Sequence, residues 1–209
     1  MSPADDAPTP ETILAGYARA AAALIHPYET AVATPALLAP VADLLPAGPG
    51  RMLDLGAGTG RDAAHFAAQG FAVLALEPVA AFRAAGARHG DAITWRDDRM
   101  PELPSLSAAD GPFDLVLANG VFHHLTAPAR ARVLTRIAPL CAPGARVVLS
   151  LRHGPGAEGR PALPIDAAEV IAQAATAGLT CLRATRAGSH QPGNRASGVT
   201  WTWLVLTPA

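Results

Sequence analysis

The residues best suited to chemistry lie in a glycine-rich segment, residues 52–60, which reads MLDLGAGTG. A short apolar run leads into Gly56, Gly58 and Gly60, and an alanine-rich stretch follows. Glycine permits a tight turn and lets a ligand approach the main chain closely. A helix that begins after such a turn directs its free N–H groups and its positive dipole end at the ligand. The pattern therefore predicts a ligand-binding turn between a strand and a helix.

The spacing of these glycines separates two classes of ligand. A turn that binds a dinucleotide has the spacing GxGxxG, in which the pyrophosphate rests on the helix N-terminus. Here the spacing is GxGxG, with Asp54 two positions before the first glycine and Arg61 directly after the third. This difference disfavours an NAD-dependent oxidoreductase, which is kept as the weaker alternative.

Carboxylates follow the next two apolar runs of the chain. Glu77, with Pro78 after it, ends the run 71–76. An acid at this point of an α/β fold can accept hydrogen bonds from both hydroxyls of a ribose. Asp97 and Asp98 follow the third run, where they either face a ligand or form a solvated loop paired with the neighbouring arginines.

Polar side chains also follow the fourth and fifth apolar runs. The segment NGVFHHL contains Asn119, His123 and His124, and Arg152 comes after the fifth run. The intrinsic pKa of histidine suits it to remove a proton from an attacking hydroxyl or amine near neutral pH. An arginine at this place binds a carboxylate or phosphate of a substrate, or else pairs with Glu158 or solvent. Further polar candidates are Tyr17, Tyr28, His153 and His190.

These groups need elements that bring them together, and the sequence predicts alternating strands and helices. Apolar runs predict seven strands, at 51–55, 71–76, 92–95, 113–118, 145–151, 179–186 and 199–207. Helical periodicity predicts helices at 60–69, 79–89, 126–138 and 166–177. The alternation predicts an α/β fold with a doubly wound, mostly parallel seven-stranded sheet. Residues 187–198 show no helical pattern, so the last strand is predicted to be antiparallel.

Two helices precede the first strand. Thr9 is a suitable N-cap and Pro10 a suitable first residue for the first helix, which Pro27 is expected to end. Thr34 and Pro35 repeat the start signal for a second helix that runs to about residue 45. The carboxyl ends of parallel strands meet at one edge of a sheet, where ligands bind in such folds. Since these two helices have no partner in the alternation, we expect them to cover that edge.

Residues 52–151 resemble class I S-adenosylmethionine-dependent methyltransferases, in particular a small bacterial group. The motifs that carry the resemblance are the glycine turn, the acids after the second and third strands, the NGVFHHL segment, and the Pro143-Gly144 turn before the fifth strand. The resemblance implies a Rossmann-like fold, S-adenosyl-L-methionine as the cofactor and S-adenosyl-L-homocysteine as the product.

The resemblance also implies roles for individual residues. The glycine turn would contact the methionine part of the cofactor, and Glu77 would contact the ribose. Either Asp97 or Asp98 would receive the adenine amino group, and the Asn119 backbone would meet the amino group of the methionine part. The implied cofactor-binding residues are Asp54, Gly56, Ala57, Gly58, Gly60, Arg61, Glu77, Pro78, Asp97, Asp98 and Asn119.

The expected reaction is an in-line transfer of a methyl group to a small-molecule acceptor, with His123, His124 and Arg152 as candidate catalytic residues. The chain lacks the Asn/Asp-Pro-Pro-Tyr sequence that often follows the fourth strand in family members acting on the planar amino groups of bases or glutamine. Its absence argues against DNA adenine or a release factor as the acceptor. A catalytically silent domain that binds the cofactor or a partner protein is the alternative from a different functional class.

Composition sets the outer limits of these predictions. The 209 residues are 50% apolar with a net charge of −1, which predicts one globular domain: a helical lid segment, 1–50, with a loose tail, 1–8, and a methyltransferase core, 51–209. All 16 basic residues are arginine, which excludes chemistry that requires a lysine. The charge balance predicts no nucleic-acid or membrane partner, and two cysteines cannot form a four-thiolate zinc site, so no metal is expected. We expect a cytoplasmic monomer or homodimer, because no signal peptide or long apolar run is present.

Overall fold

A computed structural model describes residues 9–209 and shows one seven-stranded sheet. The strands are β1 (Gly50–Leu55), β2 (Phe71–Leu76), β3 (Ile93–Arg96), β4 (Phe113–Ala118), β5 (Cys141–His153), β6 (Leu179–Gly188) and β7 (Thr200–Pro208). Their order across the sheet is β3-β2-β1-β4-β5-β7-β6, and β7 is antiparallel to both of its neighbours. The predicted fold class, a mostly parallel seven-stranded sheet with an antiparallel last strand, is confirmed.

Seven α-helices surround this sheet in the described part of the chain. They are α1 (Pro10–Thr30), α2 (Thr34–Leu38), α3 (Arg61–Ala67), α4 (Ala80–Gly86), α5 (Ala127–Ile137), α6 (Ala167–Thr176) and α7 (Pro192–Ala196). Short 3-10 turns cover Ala39–Leu44, Ala87–His89, Ala108–Asp110, Phe122–His124 and Ala138–Leu140. No helix within residues 9–209 is long and apolar enough to cross a membrane.

Two apolar layers hold the helices to opposite faces of the sheet. Successive side chains of a strand point to opposite faces, and β1 shows this clearly. Leu53 and Leu55 pack in the layer that contains α5 and α6, whereas Met52 packs in the layer that contains α2 and α3. A third, smaller cluster joins α1 to α4 and includes Ala21 and Phe82. Helix α1 therefore lies outside the two main layers.

The N-terminal helices differ from the prediction in two respects. Pro27 does not end α1, which continues for three residues to Thr30. The added turn is stabilised by tertiary contacts: the Tyr28 ring packs 5.7 Å from the Phe82 ring, and Glu29 pairs with Arg88 at 2.9 Å. The predicted tail, 1–8, lies outside the described residues.

Thr34 does not cap the second helix. Ala33 occupies the N-cap position and makes no side-chain hydrogen bond, whereas the Thr34 hydroxyl donates to Asp62 Oδ1 at 2.6 Å. The helix itself ends at Leu38 and continues as a 3-10 turn to Leu44. The threonine that the sequence suggested as a helix cap therefore makes a buried hydrogen bond to α3 instead.

The C-terminal half also departs from the prediction in two places. Strand β5 is longer than expected at both ends, because it pairs with β7 as far as His153 and begins at Cys141 opposite Phe113. The loop before β7 contains the short helix α7, which had no recognisable helical pattern. Pro192 at its first turn and Gly198 after its end are suitable end signals, but five residues are too few to show periodicity.

Candidate active site

A cavity of about 660 Å³ lies where β1, β2, β4 and β5 end, between the sheet and α1. Its size is typical of small-molecule and cofactor sites. Most of the predicted site residues line it: Asp54, Gly56, Ala57, Gly58, Arg61, Glu77, Pro78, Asp98, Asn119, His123, His124 and Arg152. Gly60 and Asp97 do not line it, and neither do the candidates His153 and His190.

The glycine turn shapes one wall of the cavity. Gly56, Gly58 and Gly60 all have positive φ, at 67°, 58° and 83°. A Cβ at Gly58 would have Tyr28 Cδ2, at 3.8 Å, as its nearest neighbour, so the space in front of this residue is open cavity. A Cβ at Gly60 would instead lie 2.7 Å from Trp95, which shows that Gly60 allows close packing of the turn on β3. Gly58 is thus the member of the turn that is placed to meet a ligand.

Glu77 is held in place by the same turn. Its Oε2 accepts a hydrogen bond from Gly58 N and its Oε1 accepts one from Val79 N, both at 2.8 Å. Burial raises the pKa of this carboxyl to about 6, although the two N–H donors favour the charged form. Glu77 therefore presents a fixed, nearly buried carboxylate to the cavity.

Two further acids lie beneath the turn. Asp54 is buried, and its Oδ2 has no hydrogen-bond partner among the described residues. Burial, with Asp62 nearby, raises the pKa of Asp54 well above its ordinary value. Asp62 accepts hydrogen bonds from Thr34 Oγ1 at 2.6 Å, and from Arg61 Nε and Asn119 Nδ2 at 2.9 Å. Burial raises the pKa of Asp62, but these donors outweigh it and the net shift is downward.

Asn119 is fixed from its other side as well. Ser150 Oγ donates to Asn119 Oδ1 at 2.8 Å and accepts from Gly120 N at 2.7 Å. A chain of polar contacts therefore runs from α3 through the end of β4 to β5. Sequence reasoning missed Asp62 and Ser150. Asp62, in the first turn of α3, is where a helix favours an acid, whereas Ser150 lies within an apolar strand and gave no signal.

The structure distinguishes the two acids after β3. Asp97 points away from the cavity, with 68% of its side chain exposed, and pairs with Arg83 at 2.8 Å. Asp98 is only 3% exposed and lines the cavity. Its carboxylate accepts from Arg99 N at 2.7 Å and from Ser105 N at 2.9 Å. The prediction that Asp97 binds a ligand does not fit this placement, whereas Asp98 remains a candidate.

The two histidines lie on the opposite wall. His124 Nδ1 donates to the Pro161 carbonyl at 2.9 Å, so its Nε2 accepts from the Tyr17 hydroxyl at 2.8 Å. Burial lowers the pKa of His124 to about 4. His123 is buried with Nδ1 unpartnered among the described residues, and burial with the neighbouring His124 lowers its pKa to about 2. Both rings are therefore neutral at physiological pH.

Two arginines complete this wall. Arg152 donates to the Pro155 carbonyl at 2.7 Å and to Asn194 Oδ1 at 3.1 Å, and its guanidinium lies 5.7 Å from the Trp201 ring centre. The alternative in which Arg152 pairs with Glu158 is not found among the described residues. Arg160, which sequence reasoning did not single out, also lines the cavity, with its guanidinium 5.2 Å from the Tyr17 ring centre.

Two of the predicted polar candidates have structural surroundings instead. His153 shares a 2.8 Å hydrogen bond with Thr202 Oγ1 across β5 and β7. The carbonyl of His190 accepts a hydrogen bond from Arg195 in the loop that holds α7. Because neither lines the cavity, neither is placed to contact a ligand there.

Comparison with known proteins identifies proteins that are similar to this chain. Residues 53–147 match the family model of a methyltransferase domain, and no curated protein sequence matches the chain. A 1,6-didemethyltoxoflavin-N1-methyltransferase from Burkholderia thailandensis, solved with 1,6-didemethyltoxoflavin and S-adenosylhomocysteine, is 23% identical with a TM-score of 0.70, over 100% of this chain and 91% of that chain. A TehB-like SAM-dependent methyltransferase from Corynebacterium glutamicum is 21% identical with a TM-score of 0.58, over 80% and 84%. Magnesium protoporphyrin IX methyltransferase from Synechocystis PCC 6803, solved with bound SAM, is 15% identical with a TM-score of 0.60, over 95% and 83%.

The fold is that of the class I methyltransferases, with the same kind of sheet and an antiparallel β7. The glycine turn follows β1, where the order of the strands reverses between β1 and β4. The segment that matches the methyltransferase domain contains the glycine turn, Glu77, Asp98 and the two histidines. By this match and this fold, the chain is similar to the S-adenosylmethionine-dependent methyltransferases.

Proposed function

We propose that this chain is an S-adenosylmethionine-dependent methyltransferase that acts on a small-molecule acceptor, which it binds in the same cavity as the cofactor. The observation that carries the proposal is the division of one continuous cavity into two chemically different walls. One wall is the glycine turn with its buried acids, and the other consists of neutral histidines, arginines and aromatic rings. A single continuous site of this kind suits two small ligands held against each other.

The cavity fits the cofactor on the side of the glycine turn. The open space before Gly58 and the unpartnered Asp54 Oδ2 are features that a bound molecule would satisfy. We propose that Gly56, Ala57 and Gly58 hold the methionine part, Glu77 the ribose, and Asp98 the adenine. Asp54, Arg61, Pro78 and Asn119 would complete this wall, and Gly60 would act through the packing of the turn.

On the acceptor side, neutral His123 is the residue best placed to contact an N–H or O–H group. Its ring lines the cavity and its Nε2 makes no hydrogen bond within the described chain, so Nε2 can accept a hydrogen bond from the acceptor and orient the attacking lone pair. His124 is already bonded at both ring nitrogens and is a positioning residue for Tyr17 and the loop at Pro161. When bound, S-adenosylmethionine supplies an activated methyl group for in-line transfer. Alignment and exclusion of water by these walls can then provide much of the rate.

We further propose that α1 acts as the lid of this site. Its residues Ile13, Tyr17 and Tyr28 line the cavity, and Tyr17 bonds to His124 on the opposite wall. A catalytically silent binding domain of the same fold is the second candidate. The acids and glycines of the cavity fit both candidates, so only a measurement of turnover distinguishes the enzyme from the silent domain.

Isothermal titration calorimetry with S-adenosylhomocysteine tests the cofactor side. We expect the protein to bind it, and we expect the Gly58→Val variant to lose at least about tenfold in affinity, because a branched side chain would fill the space where the ligand meets the backbone. Gly178→Val is the matched control, since Gly178 also has positive φ, at 82°, but has no atom within 4 Å of its Cβ position and does not line the cavity.

Two results would contradict the proposal. Equal affinities in the Gly58 variant and its control would show that the turn is not the ligand site. Absence of S-adenosylhomocysteine release from S-adenosylmethionine across a broad set of small-molecule acceptors would favour the silent binding domain.

A further inference from the structure

We propose that Arg152 and Arg160 together bind an anionic group of the methyl acceptor, a carboxylate or a phosphate. This inference rests on the proposed function, because it assigns the second wall of the cavity to the acceptor. It adds a chemical class of substrate: a small molecule with a nucleophilic N–H or O–H group and an anionic group.

Both guanidinium groups have donors without an acceptor in the described part of the chain. Arg152 uses Nε and Nη2 on Pro155 and Asn194, and its Nη1 makes no hydrogen bond there. Arg160 has a single long contact, from Nη1 to the Tyr28 hydroxyl at 3.5 Å, and its Nη2 makes no hydrogen bond in the described residues, whereas its Nε is buried and out of a ligand's reach. An arginine has five N–H donors in a planar fork that matches two oxygens of a carboxylate or phosphate. The free donors are thus available to such a group.

Charge is unevenly distributed around the cavity. The four acids that line it belong to the cofactor side and are Asp54, Asp62, Glu77 and Asp98. Arg61 pairs with Asp62, whereas neither Arg152 nor Arg160 has a carboxylate within ion-pair distance among the described residues. Arg160 is close enough for its charge to lower the pKa of Arg152, after the larger effect of burial. Two like charges held near each other without a counter-ion favour the binding of an anion.

Both arginines are also preorganised. The Arg152 guanidinium lies over Trp201 and the Arg160 guanidinium over Tyr17, at 5.7 and 5.2 Å from the ring centres. A cation above an aromatic ring is stabilised there and keeps its N–H edge free. Little side-chain freedom remains to be lost on binding, which favours affinity.

The positions of the two arginines relative to the two histidines indicate which parts of the acceptor each group would contact. The charges of Arg152 and Arg160 both act on His124, and the ring of His123 lies 4.1 Å from that of His124. The anionic group and the methylated atom would therefore lie on the same wall of the cavity. A molecule of this kind spans the wall from His123 to the two arginines.

The test uses three aromatic probes of similar shape: benzoate, phenyl phosphate and the neutral benzamide. Their affinities for the full chain are measured by NMR titration, with and without S-adenosylhomocysteine. We expect at least one anion to bind roughly tenfold more tightly than benzamide, as charge-assisted hydrogen bonds predict. The comparison of benzoate with phenyl phosphate distinguishes a carboxylate from a phosphate.

Arg152→Gln and Arg160→Gln should each remove most of this preference. Arg186→Gln is the matched control: it also removes one positive charge, but Arg186 is exposed on β6 and does not line the cavity. Arg152→Lys and Arg160→Lys, which keep the charge but lose the planar fork, should retain part of the preference. Thermal melting of each variant separates a local effect from loss of the fold.

Wild-type protein that binds the anions no better than benzamide, or not at all, would overturn the inference. So would a preference that survives both glutamine substitutions. If S-adenosylhomocysteine binds and the anions do not, this inference alone fails. If the anions bind and S-adenosylhomocysteine does not, the arginine site stands and the proposed function fails.

Discussion

The protonation state of Glu77 should make the affinity of the site for its ligand depend on pH. Its carboxylate is fixed by Gly58 N and Val79 N, and burial raises its pKa to about 6. Ribose hydroxyls donate to the ionised form, so affinity for S-adenosylhomocysteine should rise as the pH increases through about 6. At about pH 5, roughly a tenth of the free protein carries the ionised group, and the dissociation constant should be about tenfold larger than at about pH 8. Calorimetry across this range measures the step.

The Glu77→Gln variant is the control for that prediction. It should bind S-adenosylhomocysteine more weakly and lose the step near pH 6, because the amide does not titrate. A step that persists in this variant would assign the titration to another group, with Asp54 the first to be considered. The same raised pKa has the opposite effect on folding. The free energy of unfolding should fall as the pH rises from about 4.5 to about 6, because the folded state binds the proton more strongly.

Individual residues also show where sequence reasoning reached its limit. The glycine turn and Glu77 were found because their spacing follows from the backbone geometry of a strand–turn–helix unit. Asp97 and Asp98 were not distinguished, since a shift of one residue at a strand end turns a side chain to the other face. Arg160 was missed because its partners Tyr17 and Tyr28 lie more than 130 residues away along the chain.

At the scale of elements, local signals predicted the N-caps of α1 and α5 but neither the cap of α2 nor the end of α1. Thr9 and Thr126 cap α1 and α5 as expected, because a cap depends on only three or four neighbouring residues. The end of α1 depends instead on Tyr28 and Glu29, which contact residues of the distant α4 segment. Such contacts form only after the chain has folded, and no local pattern reports them.

The contact between α1 and the loop before α6 gives a prediction about the proposed lid. A Cβ at Gly16 would lie 1.8 Å from the Gly159 carbonyl oxygen, so the helix and the loop meet through bare backbone. Gly16→Ala should destabilise the protein by about 1–3 kcal/mol through overpacking, although alanine alone favours a helix. Hydrogen–deuterium exchange should become faster in α1, and chemical denaturation measures the loss.

Gly193→Ala is the matched control for this substitution. Gly193 is also within a helix, α7, but no atom lies within 4 Å of its Cβ position. The alanine there should be neutral or stabilising by up to about 1 kcal/mol. Slower exchange in α1 of the Gly16 variant would contradict the close contact.

At the scale of the whole molecule, the sheet depends on its last strand. The sequence predicted that β7 is antiparallel from the missing crossover helix, but not how it is inserted: β7 lies between β5 and β6. Leu204 of β7 is fully buried, whereas Leu182 of the edge strand β6 is 45% exposed. Leu204→Ala should therefore cost about 3–5 kcal/mol and Leu182→Ala less than about 1 kcal/mol. Urea denaturation compares the two, and equal losses would contradict the strand order.

The position of β7 has a consequence for synthesis of the chain. β6 is made before β7, and its only neighbour in the finished sheet is β7. At the ordinary pace of translation, β6 waits on the order of a few seconds with both edges unpaired. Arginine at positions 183 and 186 places charge on this strand, which hinders its pairing with other nascent chains. Strand β6 thus carries its own protection against aggregation during this interval.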